Sequence, residues 1–184
     1  NTRWTVEYSI LPEDQEGTIF YKIDYTDLAG NAGNSYSPSS IFKLDTTNPT
    51  LTLNNFYSNN TTSTTIAAEG DTIILEFTTD EQIKKPAVTL GSLNATVTQN
   101  TLGALNASWI ASYTIVHNTA NMTIVVADIG IIYNDLAGNL GANSVTTAIT
   151  NTVEIDTVKP KITSAGFGAA YAKVGDIVTL TFEA

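Results

Sequence analysis

The chain has 184 residues, with Lys+Arg 8 against Asp+Glu 18, a net charge of −10 and no cysteine. That length fits one large domain or two small ones. The acidic balance excludes a phosphate-backbone footprint and an anionic membrane surface, and the missing cysteine excludes a disulfide scaffold, a thiolate zinc site and a cysteine nucleophile. Charged residues make up only 14%, well below the usual ~25%. The surface is instead rich in small hydroxyl and amide groups, with 30 Thr, 12 Ser and 17 Asn. No window approaches a membrane-spanning run and no leader peptide is recognisable, so no membrane insertion is expected. The opening Asn1-Thr2-Arg3-Trp4 reads as the middle of a longer or processed chain.

The apolar pattern has a period of two rather than 3.6. In chain order, Asp71–Thr78 places Ile73, Leu75 and Phe77 on one face and Thr72, Ile74 and Glu76 on the other. Residues 87–91 and 93–98 alternate in the same way. Trp109–Val116 aligns Trp109, Ala111, Tyr113 and Ile115, and Met122–Asp128 aligns Met122, Ile124 and Val126. A last strand is predicted over 145–155. Val, Ile, Thr, Tyr and Phe fill these runs, and Gly, Asn, Asp and Ser separate them, the composition of half-buried strands joined by turns. The expectation is an all-β sandwich or barrel with negligible helix. Its core should include Trp109, Tyr113, Leu75, Phe77, Ile124 and Val126.

An internal repeat organises the whole chain. Trp4-Thr-Val-Glu-Tyr8 matches Trp109-Ile-Ala-Ser-Tyr113 at an offset of 105, and Asp27-Leu-Ala-Gly-Asn31 recurs identically as Asp135-Leu-Ala-Gly-Asn139 at 108. Asp45-Thr-Thr-Asn-Pro49 matches Asp156-Thr-Val-Lys-Pro160 at 111, and Gly70–Phe77 matches Gly175–Phe182 at 105. The unit is therefore about 105–110 residues, the size of an immunoglobulin-like sandwich of seven to nine strands. Residues 1–45 read as the second half of one unit, 46–155 as a complete unit and 156–184 as the first part of a third. Together the two partial units lack only the equivalent of about 80–105. Two readings follow. The chain is a window on a long tandem array, or it is a protomer in which residues 156–184 of one copy meet residues 1–45 of the next to give an open filament. In the second reading the strand ending at Phe182 joins those carrying Trp4, Ile19, Tyr21 and Ile23.

A unit that opens Asp-Thr-Thr-x-Pro, continues through Gly-Asp-Thr-Ile-x-Leu-x-Phe and Trp-x-x-x-Tyr, and closes with Asp-x-Ala-Gly-Asn resembles the bacterial immunoglobulin-like repeat. That family occurs in tandem in large surface adhesins, stalks and extracellular fibrous proteins. The resemblance implies an immunoglobulin-like β-sandwich in tandem repeats and an extracellular or cell-surface location. It identifies a module rather than an activity.

The motif residues have physical roles. Gly30 and Gly138 supply positive φ in the two Asp-Leu-Ala-Gly-Asn turns, Asn31 and Asn139 tolerate it, and Asp27 and Asp135 accept turn N–H groups. Calcium at Asp27 or Asp135 is a rival reading, but six to eight oxygens are needed. Pro49 and Pro160 stiffen linkers of a few residues. No cofactor is indicated. A calcium-stiffened linker would use Asp45 or Asp156 with nearby carboxylates.

Nothing points to catalysis. His117 is the only histidine, at a strand end, with no carboxylate expected beside it, and Ser112 alternates away from Tyr113. Asp80-Glu81 and Glu13-Asp14 are loop neighbours whose side chains diverge. Five Asn-x-Ser/Thr sites occur, at Asn59, Asn60, Asn94, Asn106 and Asn121, close to the chance number of about four for 17 Asn and 42 Ser/Thr in 184 residues. Asn59, Asn60, Asn106 and Asn121 are expected in loops and Asn94 facing outward, so each is a candidate for N-glycan in a glycosylating pathway. The functional expectation is a non-enzymatic structural module of an extracellular fibre or adhesin stalk. Its partners are neighbouring copies or repeats of the same protein, not nucleic acid. The alternative is an adhesin domain that grips carbohydrate or protein.

Overall fold

The computed structural model describes residues 3–39, 42–101, 107–141, 145–147 and 149–184, with side chains left undescribed at 145–147. Among them the chain is all-β, with one 3-10 turn at Val126–Asp128. The strands are β1 (Gly17–Thr18), β2 (Lys43–Leu44), β3 (Leu51–Ser58), β4 (Ile66–Ala67), β5 (Thr72–Thr79), β6 (Ala87–Leu90), β7 (Leu93–Asn94) and β8 (Thr96–Gln99), then β9 (Ser108–Thr114), β10 (Met122–Ile124), β11 (Ile129–Ile132), β12 (Val145–Thr147), β13 (Val153–Ile155), β14 (Ser164–Phe167) and β15 (Leu180–Glu183).

The largest sheet has the order β12-β3-β5-β9-β8, antiparallel except for β12 beside β3. Two three-stranded sheets, β10-β13-β4 and β11-β6-β7, accompany it. The two-stranded sheets β1-β2 and β14-β15 are separate from these. Several mainly antiparallel sheets around one apolar cluster are compatible with a β-sandwich. All the members of that cluster come from residues 51–155, among them Phe56, Leu75, Phe77, Trp109, Ile124 and Tyr133.

The alternation read from the sequence appears as burial. Ile73, Leu75 and Phe77 are buried while Thr72, Ile74 and Glu76 are half-buried. Across the β5–β9 ladder Phe77 faces Trp109, Leu75 faces Ala111 and Ile73 faces Tyr113. Trp109 and Ile124 are in the core, whereas Tyr113 and Val126 are partly buried against it.

Three strands differ from the expected ones. Residues 122–128 form a strand only to Ile124, because Val126–Asp128 turn into a 3-10 segment whose Asp128 carboxylate accepts the Val125 N–H. Residues 93–98 break at Ala95, which lies between β7 and β8 and donates its N–H to Val88 O of β6. Residues 145–155 divide into β12 and β13, which join different sheets. Among the described residues these breaks give eleven strand segments between 46 and 155, β3 through β13, where seven to nine strands were expected.

The matching tryptophan positions are packed very differently. Trp109 is 5% exposed and Trp4 is 86% exposed. Trp109→Ala is therefore expected to cost about 3–5 kcal/mol in urea-induced unfolding, and Trp4→Ala less than about 0.5 kcal/mol. Equal losses at the two sites would refute this placement of the core.

Candidate functional site

The identical five-residue turn is built twice with nearly the same bonds. In the first copy the Asp27 carboxylate accepts the N–H groups of Ala29 and Asn31 at 2.9 and 2.8 Å and the Asn31 side-chain amide at 2.8 Å. In the second, the Asp135 carboxylate accepts from the Gly138 and Asn139 N–H groups and, at 2.7 Å, from the Asn139 side chain. Gly30 and Gly138 have φ of +88° and +112°, which an L side chain rarely adopts. Asn31 and Asn139 do not share that conformation. Their role is to donate a side-chain amide, a correction to the reading that they tolerate positive φ.

The repeated unit extends further than those five residues. Gly33 and Gly141 donate their N–H groups to Tyr25 O and Tyr133 O, and a Cβ on either glycine would overlap the ring of that tyrosine. The motif is therefore Tyr-x-Asp-Leu-Ala-Gly-Asn-x-Gly, with the tyrosine lying on the final glycine. Both flanking residues recur at the same offset of 108, and that recurrence was the available signal.

The second turn holds the segment that opens the 46–155 region. The Asn139 amide also donates to Asp45 O at 3.0 Å, and the buried Tyr133 donates its hydroxyl to Pro49 O at 3.3 Å. From the other side, Glu16 Oε1 accepts the Thr46 N–H at 2.8 Å and the Thr46 and Thr47 hydroxyls at 2.7 Å each. Hydrogen bonds from Thr47 and Thr46 hold the Glu16 carboxyl below its ordinary pKa. Thr50 donates N–H and hydroxyl to the two oxygens of Asp80. The segment 45–50 is thus gripped at five of its six residues by side chains from elsewhere in the fold.

The same place gathers charge. Ligand oxygens of Asp45, Glu81 and Asp135 lie within 4.8 Å of one another, beside an open groove of ≈ 550 Å³ lined also by Lys43 and Gln82. Desolvation, then the charges of Asp45, Asp135 and Asp80, push the Glu81 carboxyl up. Burial also pulls Asp135 upward, but the Asn139 and Gly138 donors outweigh it and its pKa is lowered. An all-oxygen donor set suits a hard cation, although three carboxylates supply only part of a calcium shell. Asp45 joins this group, whereas Asp156 accepts instead from the Asn121 amide at 3.2 Å and the Val158 N–H at 2.9 Å.

The remaining candidates are scattered. Asn94 is exposed on β7. Asn59 is exposed and accepts the Thr72 N–H, and the half-buried Asn60 donates to Asp71 while its oxygen caps the Thr62 and Ser63 N–H groups. Asn121 accepts from Thr157 and so ties the 156–158 segment to the turn before β10. Asn106 lies outside the described residues. His117 does have a carboxylate beside it, contrary to expectation: Glu69 Oε2 is 3.2 Å from Nδ1, on an exposed surface. Ser112 lies in the β9 ladder opposite Ile74 and Thr96.

No protein-family model, curated protein or solved structure matches the chain. No helix among the described residues is long and apolar enough to cross a membrane.

Asp135 stabilises the fold when ionised. That contribution is complete above its unfolded pKa of about 3.9 and is lost as pH falls through its lower folded value. Asp135→Asn should cost about 1–3 kcal/mol at pH 7, and thermal melts should show the gap closing in acid. Glu81 has the opposite sign. Its raised pKa penalises the fold at neutral pH and relaxes as pH falls toward it, so Glu81→Gln should raise the Tm at pH 7 in chelator. A lower Tm for Glu81→Gln, reproduced in the parent by chelation, would instead reveal a bound cation.

Proposed function

We propose that the chain is a structural module of an extracellular fibre or adhesin stalk, built from immunoglobulin-like units in tandem. Neighbouring repeats of the same protein are its partners. The four collinear sequence matches support the tandem reading. The all-β architecture, with several antiparallel sheets around one cluster, is what such a unit requires.

The observation that carries the proposal is the grip on residues 45–50. Glu16 belongs to the part preceding the segment, while Asn139 and Tyr133 belong to the part following it. A connection held from both sides, with Pro49 buried within it, restricts the angle between successive units. Limited bending is the mechanical property of a stalk, and it needs no catalytic group.

The competing reading is a ligand-binding adhesin domain. It draws on the exposed aromatic residues of the first 45, including Trp4, Tyr8, Phe20 and Tyr21, because exposed apolar patches mark interaction sites. Site-specific micromolar binding of an oligosaccharide to the full chain, lost on Phe20→Ala, would favour that reading.

Spin labels at Lys22→Cys and Asn94→Cys test the stalk. Double electron–electron resonance should give one narrow distance distribution in the parent. Asn139→Ala combined with Glu16→Ala should at least double its width. A broad distribution in the parent would contradict the proposal.

A further inference from the structure

One long run of the chain carries no formal charge: between Lys85 and Asp128 there is no Asp, Glu, Lys or Arg. The run includes β7 and β8, and among the described residues each is the last strand of its sheet. An uncharged edge rich in Thr and Val is a template for pairing with another chain, and natural sheets blunt such edges with charge or cover. Leu93-Asn94-Ala95-Thr96, at this edge, contains an Asn-x-Thr sequence. Asn94 and Thr96 are both exposed. Asn94 lies opposite Thr89, and Thr89 opposite Gly130, in one row across the sheet. That row faces away from the core, since Val88 and Leu90 on either side of Thr89 are buried. Its other members are small, so a bulky group on Asn94 has room beside it.

The other described Asn-x-Ser/Thr residues are engaged by the fold. Asn60 is half-buried; its amide nitrogen donates to Asp71 at 2.7 Å and its oxygen accepts two turn N–H groups. Asn59 gives its oxygen to the Thr72 N–H at 2.7 Å, which holds its amide against the start of β5. Asn121 is a joint residue. It stands 105 residues after Glu16, and the two side chains do the same work: each accepts the N–H and the hydroxyl of the threonine after a linker aspartate, Thr157 and Thr46 respectively. The Asn121 nitrogen also donates to Asp156. Among the described residues the Asn94 side chain makes no such bond.

We infer that Asn94 is an N-glycan acceptor and that the sugar covers the uncharged β7 edge. The inference rests on the extracellular placement proposed above, because an exported chain is the one that meets the sugar donor. The donor class is an oligosaccharide joined through C1 of its first sugar to a lipid diphosphate. In the transfer Asn94 Nδ2 forms a bond to that C1 and loses one proton, the C1–O bond breaks, and the lipid diphosphate leaves with the electron pair. The backbone pairing of Asn94 with Thr89 is untouched. A hydrated oligosaccharide there does what a charged edge residue does elsewhere: it keeps a second sheet edge from approaching. On Asn60 or Asn121 the sugar would instead sit on the nitrogen that donates to Asp71 or Asp156.

The 1–184 chain, secreted from a eukaryotic cell behind an added leader, reads the site independently of the native location. Enzymatic release of the sugar in heavy-oxygen water converts a modified Asn to labelled Asp, which peptide mass spectrometry locates. Asn94 should be labelled in most of the folded chain, and Asn60 and Asn121 in less than about a tenth of it. Thr96→Ala should abolish the label at Asn94, and Thr96→Ser should retain it. In sedimentation the secreted Asn94→Gln chain should self-associate about fivefold more tightly than the parent, with an unchanged melting temperature, while Thr96→Ser behaves as the parent. An unlabelled Asn94 in the folded chain, equal label at Asn60 or Asn121 with the melt unchanged, or an Asn94→Gln chain that associates no more than the parent would overturn the inference. Failure of the stalk reading would appear separately, as a broad spin-label distribution in the Asn94→Cys chain, which has no sugar at that position.

Discussion

A β-strand has two hydrogen-bonding edges, and β5 satisfies both, with β3 on one side and β9 on the other. Leaving either edge buried and unmade would cost about the desolvation of every orphaned peptide group along it. This constraint fixes the centre of the molecule. Once β9 lies against β5 in the observed register, Trp109 is set against Phe77. The other sheets contribute Leu90, Ile124, Val153 and Ile155 to the same cluster.

The second constraint is local and acts at the Asp135–Asn139 turn. An Asp carboxylate that accepts two backbone N–H groups and a side-chain amide fixes a turn that its sequence alone would leave open. Because Asn139 and Tyr133 also reach the 45–49 segment, the same few residues fix both the turn and the path of the chain into β3. Turn and segment are thereby held together as one element. The charge gathered there, Asp45, Glu81 and Asp135, opposes the closure at neutral pH, and the hydrogen bonds to Asp135 offset that repulsion.

Much of this was legible in the sequence, and what was not has identifiable physical reasons. The face of β5 could be read because Ile73, Leu75 and Phe77 alternate without interruption. Strand β3 could not, since a bulge between Leu53 and Asn55 shifts the register and Asn54-Asn55 looks like a turn. The Asp-Leu-Ala-Gly-Asn turn announced itself by exact recurrence, yet its tyrosine and final glycine needed the packing of ring on backbone to be recognised. The acidic group could be read only in part. Asp45 stands out from its place just before the Thr-Thr-Asn-Pro49 run, but its meeting with Glu81 and Asp135 depends on long-range folding that no local pattern records. Glu16 was invisible for the same reason, being 30 residues from the Thr46 it binds.

The central claim is that the connecting segment is a fixed part of the structure rather than a tether. Backbone 15N relaxation at Thr46, Thr47 and Thr50 tests it most directly. The account predicts order parameters near 0.85 at these amides, equal to those of β5. Values below about 0.6, with β5 still rigid, would mean that the segment moves freely and would contradict it.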